Sequence, residues 1–227
     1  AEFVEVLERA WSGRPFEFHG NHFDLVGDMV GPPTVQQPRP LVVSAGASDA
    51  GRRFAGCYSD MVFMPGRTPP ETCQQRMAGI RAEAERAGRR GDDVRLQMHA
   101  SVVVRRSGAE AREFADELAR GVDVQAVAEY LVGIRAAIST YDDIYAEMGE
   151  LQLRQIGSVA GARQMVGDPC EVADEIELLH REFGCEGVAI TLPLWQADEV
   201  RLVGELLLPE LARRGLWTHR DARTPGW

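Results

Sequence analysis

Gly46, Ala47, Ser48, Asp49, Ala50 and Gly51 form a run of small residues between the apolar segment Leu41–Val43 and a helical segment through Arg52 to Cys57. Their chemistry is the holding of a phosphate. Small residues let a backbone approach a ligand, and the first amides of the helix have no partner within it, so its N-terminus accepts an anion. The Ser48 hydroxyl adds a further donor. Asp49 suits the positive end of the helix dipole but repels a phosphate unless it turns away. Without a ligand, the same serine caps its own helix, and the residues alone leave both readings open.

Other candidates are weaker. His19 and His22 sit in one turn with no third ligand nearby, so no metal is assigned. His99 lies on a strand, either shaping a pocket or serving as a hydrogen-bonded structural histidine. Asp142 and Asp143 are adjacent, which on a helix sends them about 100° apart, a poor arrangement for an acid–base pair. With Tyr141 and Tyr145 they read first as an amphipathic helix that packs its tyrosines against a neighbour, the alternative being a lid. Cys57, Cys73, Cys170 and Cys185 show no C-x-x-C spacing and read as reduced core thiols.

Strand–helix alternation must position these groups. Phe3, Val4, Leu7 and Trp11 mark an amphipathic opening helix, and Phe16, Phe18, Phe23 and Leu25 flank a short hairpin with its aromatics inward. Met61–Met64 reads as a strand leading to a helix from Pro70 to Ala87, stopped by Gly88. Val94–Val104 reads as a long strand with Leu96, Met98, Ala100, Val102 and Val104 on one side and His99 on the other. Residues 121–158 stay helical and fit no strand–helix unit, which marks an inserted pair. Asp168, Pro169 and Glu171 announce a helix start, and Val188–Leu192 a last strand. The final helix, Asp198 to Arg214, has to kink or break at Pro209.

The chain has 25 Lys and Arg against 35 Asp and Glu, a formal charge of −10, which disfavours DNA or RNA as a partner. No apolar run approaches the ~20 residues needed to span a membrane, so a cytoplasmic protein is expected.

Four stretches in order carry a resemblance: EFVEVLERAW at Glu2–Trp11, FHGNHFDL with PPTVQQPRP behind it, AGASDAG followed by SDMVF, and MVGDPCEVADEIELL leading to GCEGVAITLP. Together they resemble the bacterial luciferase-like family of flavin-dependent oxidoreductases. Within it they look most like the monooxygenases acting on pyrimidines, alkanesulfonates, nitrilotriacetate and dimethyl sulfide. The resemblance implies an α/β fold, the C-terminal part of a (β/α)₈ TIM barrel, as a single domain over 1–227 with a helical insertion at 121–158. The chain opens inside a helix without an initiating Met, so four strand–helix units are expected to precede it.

The resemblance also implies FMN, used as FMNH₂. Ser48 occupies the place of the family serine that touches the flavin phosphate, beside Gly46 and Ala47; no catalytic residue is assigned. The implied activity is oxidation of a small organic substrate with O₂ through a flavin peroxide. A separate NAD(P)H:flavin reductase would supply the reduced flavin, and the protein would be a homodimer. A deazaflavin-dependent oxidoreductase and a non-catalytic flavin-binding or dimerisation module are the alternatives.

Overall fold

The computed structural model describes residues 2–27, 33–46, 48–137, 149–159, 162–219 and 222. Ala47, Tyr141, Asp142, Asp143 and Tyr145 lie outside the described residues. The chain forms two compact units, one built on Ala1–Val62 with Gly79–Val94 and the other on Phe63–Ala78 with Arg95–Ala222.

In the first unit, helix α1 (Glu2–Trp11) precedes a hairpin of β1 (Phe16–His19) and β2 (Asp24–Gly27), paired antiparallel from Phe16↔Gly27 to His19↔Asp24. The Glu2 carboxylate accepts the amides of Asn21 and His22, both at 2.8 Å, and so holds the turn shut. Phe18 is buried, and the Arg9 guanidinium lies 5.0 Å from its ring centroid.

Strand β3 (Val43–Ser44) pairs in parallel with the start of β4 (Met61–Pro65). It is shorter than the apolar run suggests because the chain before it is held by a side chain. The Asp60 carboxylate accepts the Val42 amide at 2.8 Å and a forked pair from Arg39 at 2.5 and 3.1 Å. Burial pushes the Asp60 pKa up, but these hydrogen bonds outweigh it and leave the carboxyl below its ordinary range. Helix α2 (Asp49–Tyr58) ends under Arg89, which donates to the carbonyls of Gly56 at 2.7 Å and Ser59 at 2.9 Å. Those carbonyls have no partners inside the helix.

The second unit places the rest of β4 beside β5 (Arg95–Val104), which also pairs in parallel with β6 (Arg163–Gly167) and β7 (Cys185–Thr191). The registers run Ala100↔Arg163 to Val104↔Gly167 and, past a bulge, Gln97↔Gly187 to Ser101↔Thr191. As expected, Leu96, Met98, Ala100, Val102 and Val104 share one face, none more than 1% exposed. Each large side chain buried there contributes roughly 1.5–3 kcal/mol. Helix α3 (Pro70–Arg86) follows β4, and helices α4 (Gly108–Arg120) and α7 (Pro169–Phe183) pack on these strands.

Local signals fix α7. Asp168 caps the amides of Cys170 and Glu171, Glu171 reaches back to the Asp168 amide, Pro169 occupies the first turn, and Gly184 ends the helix at φ 64°. Cys170 is therefore exposed, which corrects its expected place in the core; Cys73 and Cys185 are buried and Cys57 partly so. Strand β6 was not foreseen, because Arg163–Gly167 is short and shows no alternation.

Helices α5 (Val124–Ala137) and α6 (Glu150–Val159) follow α4. Arg154 of α6 donates to the carbonyls of Ala119, Arg120 and Val122 at the end of α4. The last helix does not break at Pro209. It runs from α8 (Ala197–Leu202) through a π turn at Val203–Leu207, where the Leu208 amide bonds the Val203 carbonyl, into α9 (Leu208–Arg213). The widened turn accommodates the missing proline N–H.

Gly66 marks the tightest crossing. A Cβ there would lie 2.0 Å from the His99 carbonyl oxygen and 2.7 Å from the Arg163 Cβ. Gly66→Ala should therefore cost at least about 2 kcal/mol in urea unfolding; an unchanged midpoint would disprove the crossing.

Candidate functional site

The first candidate is the turn between β3 and α2. Ser48 is extended, with φ −70° and ψ 165°, and its Oγ accepts the Gly51 amide at 3.1 Å as the N-cap of α2. A hydroxyl that accepts keeps its own proton to donate. Gly46 and Gly51 cross so closely that a Cβ on either would sit 2.7 Å from the Cα of the other. Two glycines are thus required to fold this turn.

Asp49, the awkward neighbour of a phosphate, bonds Arg52 at 2.7 Å with its side chain 77% exposed. Its charge is matched along the helix surface and turned outward. The residues present therefore fit a phosphate: a serine hydroxyl, the first-turn amides that a helix leaves without internal partners, and an Asp49 carboxylate paired with Arg52. Sequence reasoning placed Gly46 and Ser48 in this turn, where the structure brings them together.

The second candidate is a sheet face in the second unit. Register puts Gln97, His99 and Ser101 of β5 on the same side as Gly187, Ala189 and Thr191 of β7. His99 Nε2 hydrogen-bonds Thr191 Oγ1, and the Phe63 ring from β4 lies 5.5 Å from the imidazole. Burial lowers the His99 pKa, so the ring is neutral near pH 7. Beside them the Ser101 hydroxyl is buried with no hydrogen-bond partner among the described residues, the kind of orphaned group that sheets seldom retain.

The loop after β7 is held at both ends to β5. Thr191 bonds His99, and Glu199 of α8 forms a two-pronged pair with Arg105 at 2.7 and 3.2 Å, while Arg105 stacks 3.9 Å over Phe114. Between these anchors Trp195 is 97% exposed. Sequence reasoning missed Thr191, Ser101, Glu199 and Trp195. Contacts separated by more than 90 residues leave no local signal.

His19 Nδ1 hydrogen-bonds Asp24 at 2.6 Å, which raises the His19 pKa. Among the described residues no group of three or more His, Cys, Asp or Glu is placed to hold a metal ion. No helix among them is long and apolar enough to cross a membrane.

Parallel strands alternating with helices, with a glycine-crossed turn leading into α2, define a segment of α/β barrel type, and the sequence agrees. The luciferase-like monooxygenase family matches residues 1–185, and the chain belongs to that family. It is 26% identical over 245 residues to a long-chain alkane monooxygenase of Geobacillus thermodenitrificans (strain NG80-2), covering 95% of this chain and 55% of that protein. It is 25% identical over 252 residues to one subunit of the pristinamycin IIA synthase of Streptomyces pristinaespiralis, covering 95% and 56%. The chain thus spans about half the length of these curated relatives.

The fold matches the crystal structure of long-chain alkane monooxygenase (LadA) with a TM-score of 0.77 at 23% identity, covering 99% of this chain and 57% of that one. This is the expected luciferase-like α/β barrel fold. A coenzyme F420 dependent tetrahydromethanopterin reductase from Methanopyrus kandleri shares it at a TM-score of 0.57 and 20% identity, covering 92% and 61%.

The lowered His99 pKa carries a pH dependence. The unfolded chain takes up a proton near pH 6.5 while the folded one resists, so stability should fall as pH drops through 6.5 and level off below the folded pKa. Chemical denaturation from pH 8 to 5 should show this slope reduced in His99→Gln. An equal slope in the variant would assign the effect elsewhere.

Proposed function

We propose that the protein is an FMNH₂-dependent monooxygenase subunit that oxidises a small organic substrate. The observation that carries this reading is the turn at Gly46–Gly51, a serine-capped helix start with its neighbouring carboxylate paired away, in a chain of the luciferase-like family. Ser48 and the first amides of α2 hold the flavin phosphate, and the Gly46–Gly51 crossing lets the backbone approach it. When bound, reduced FMN supplies the two electrons that split O₂, one oxygen going to the substrate and the other leaving as water.

The protein's part is binding, orientation and the exclusion of water. The Phe63–His99–Thr191 face offers an apolar ring and a neutral imidazole held in one orientation, suited to lining the substrate cavity. A separate NAD(P)H:flavin reductase supplies the reduced cofactor, and the protein works as a cytoplasmic homodimer.

A second reading is a deazaflavin-dependent oxidoreductase, favoured by the fold shared with the F420-dependent reductase. Transfer of one oxygen atom from ¹⁸O₂ into a candidate substrate on adding photoreduced FMN supports the monooxygenase. Hydride exchange with F420 under anaerobic conditions, with no oxygen transfer to the substrate under air, would replace it.

Ser48 can be tested apart from its capping role. Ser48→Asp keeps an N-cap of nearly equal strength but adds a charge that repels phosphate. It should retain the melting temperature yet weaken FMN binding by more than about tenfold, while riboflavin binding stays unchanged. Ser48→Ala should instead cost about 1 kcal/mol of stability. Equal losses of FMN and riboflavin in Ser48→Asp would remove the phosphate assignment.

A further inference from the structure

We propose that Arg67 receives an oxyanion of the substrate, a carboxylate or sulfonate, which rests on the reading of the chain as a monooxygenase of small organic molecules. The residue stands just past the C-terminal end of β4, and functional groups of α/β barrels gather at that end of the strands. Its backbone position is set by Gly66, which crosses the His99 carbonyl with no room for a side chain.

The guanidinium is also oriented. Arg67 Nε donates to the Ala162 carbonyl at 3.1 Å, a contact that spans 95 residues of sequence and fixes the plane of the group. The two terminal nitrogens have no partner among the described residues, and the residue is exposed. With Nε occupied, the remaining edge presents two parallel N–H donors, the geometry that matches both oxygens of a carboxylate or sulfonate.

Charge separates Arg67 from nearby arginines. Arg105 at the end of β5 is matched by Glu199, and Arg163 at the start of β6 by Glu175 at 2.7 Å. Carboxylates are in excess in this chain, 35 acidic residues to 25 basic ones. Even so, Arg67 is anchored by a neutral carbonyl, which orients the cation without cancelling its charge. Phe63, on the strand that leads to Arg67, and the neutral His99 beside Phe63 offer an organic body somewhere to lie, so the ligand read from these groups is an amphiphile with one anionic end.

The test is isothermal titration of the protein, Arg67→Gln and Arg67→Lys with octane-1-sulfonate, octanoate and 1-octanol, each with FMN titrated in parallel and a thermal melt as a folding control. Wild type should bind both anions more tightly than the alcohol. Arg67→Gln should lose about tenfold or more for the anions while octanol stays within about twofold, and Arg67→Lys should fall between, since an ammonium keeps charge but not the fork.

Undiminished anion binding in Arg67→Gln overturns the proposal, as does an equal loss for octanol or a wild type that binds neither anion. A selective loss of FMN would assign Arg67 to the cofactor phosphate and overturn it too. If wild type binds no FMN but the anion preference still depends on Arg67, the flavin reading falls and the Arg67 assignment stands.

Discussion

Strand β5 carries the second unit because both its edges and one of its faces are committed. Its apolar face is sealed, and it pairs in parallel with neighbours far along the chain. Parallel pairing cannot be closed by a tight turn, so each neighbour arrives through a helix, and those helices supply the cover for the sealed face. The opposite face has a different composition: Gln97, His99 and Ser101 replace the aliphatic run. One strand thus sets the hydrophobic core on one side and a polar, oriented surface on the other.

Electrostatics divides the arginines into two kinds. Arg105 and Arg154 act as fasteners, the first meeting Glu199 where both are largely out of water, the second gathering three carbonyls at a helix end. A buried pair such as Arg105–Glu199 adds little net stability, because desolvation offsets attraction, but losing one partner strands the other. Its value is geometric: it fixes where α8 begins and hence the path of the loop bearing Trp195. Arg67 belongs to the other kind, oriented without being neutralised.

Much of this was legible in the sequence. The alternation in β5, the cap and proline at Asp168–Glu171, and the stop at Gly88 are signals read within a few residues, and each appears where expected. The β3–α2 turn was legible for the same reason, since small residues and a serine announce it. The shortening of β3 was not, because Asp60 competes for the Val42 amide from 18 residues away. The His99–Thr191 and Arg105–Glu199 pairs join residues 92 and 94 apart, so composition and periodicity hold no trace of them. Cys170 shows the opposite failure: its residue type suggested the core, but the helix start placed it at the surface.

The π turn at Val203–Leu207 has a consequence in angular phase. Glu199 and Leu207 are both buried, at 6% and 0% exposure, and they are eight residues apart. In a straight α-helix that spacing leaves two side chains about 80° out of line. A turn that absorbs one extra residue brings them to within about 20°. The widened turn therefore acts as a phase corrector, letting one continuous helix aim a carboxylate at Arg105 and, two turns later, a leucine into the core.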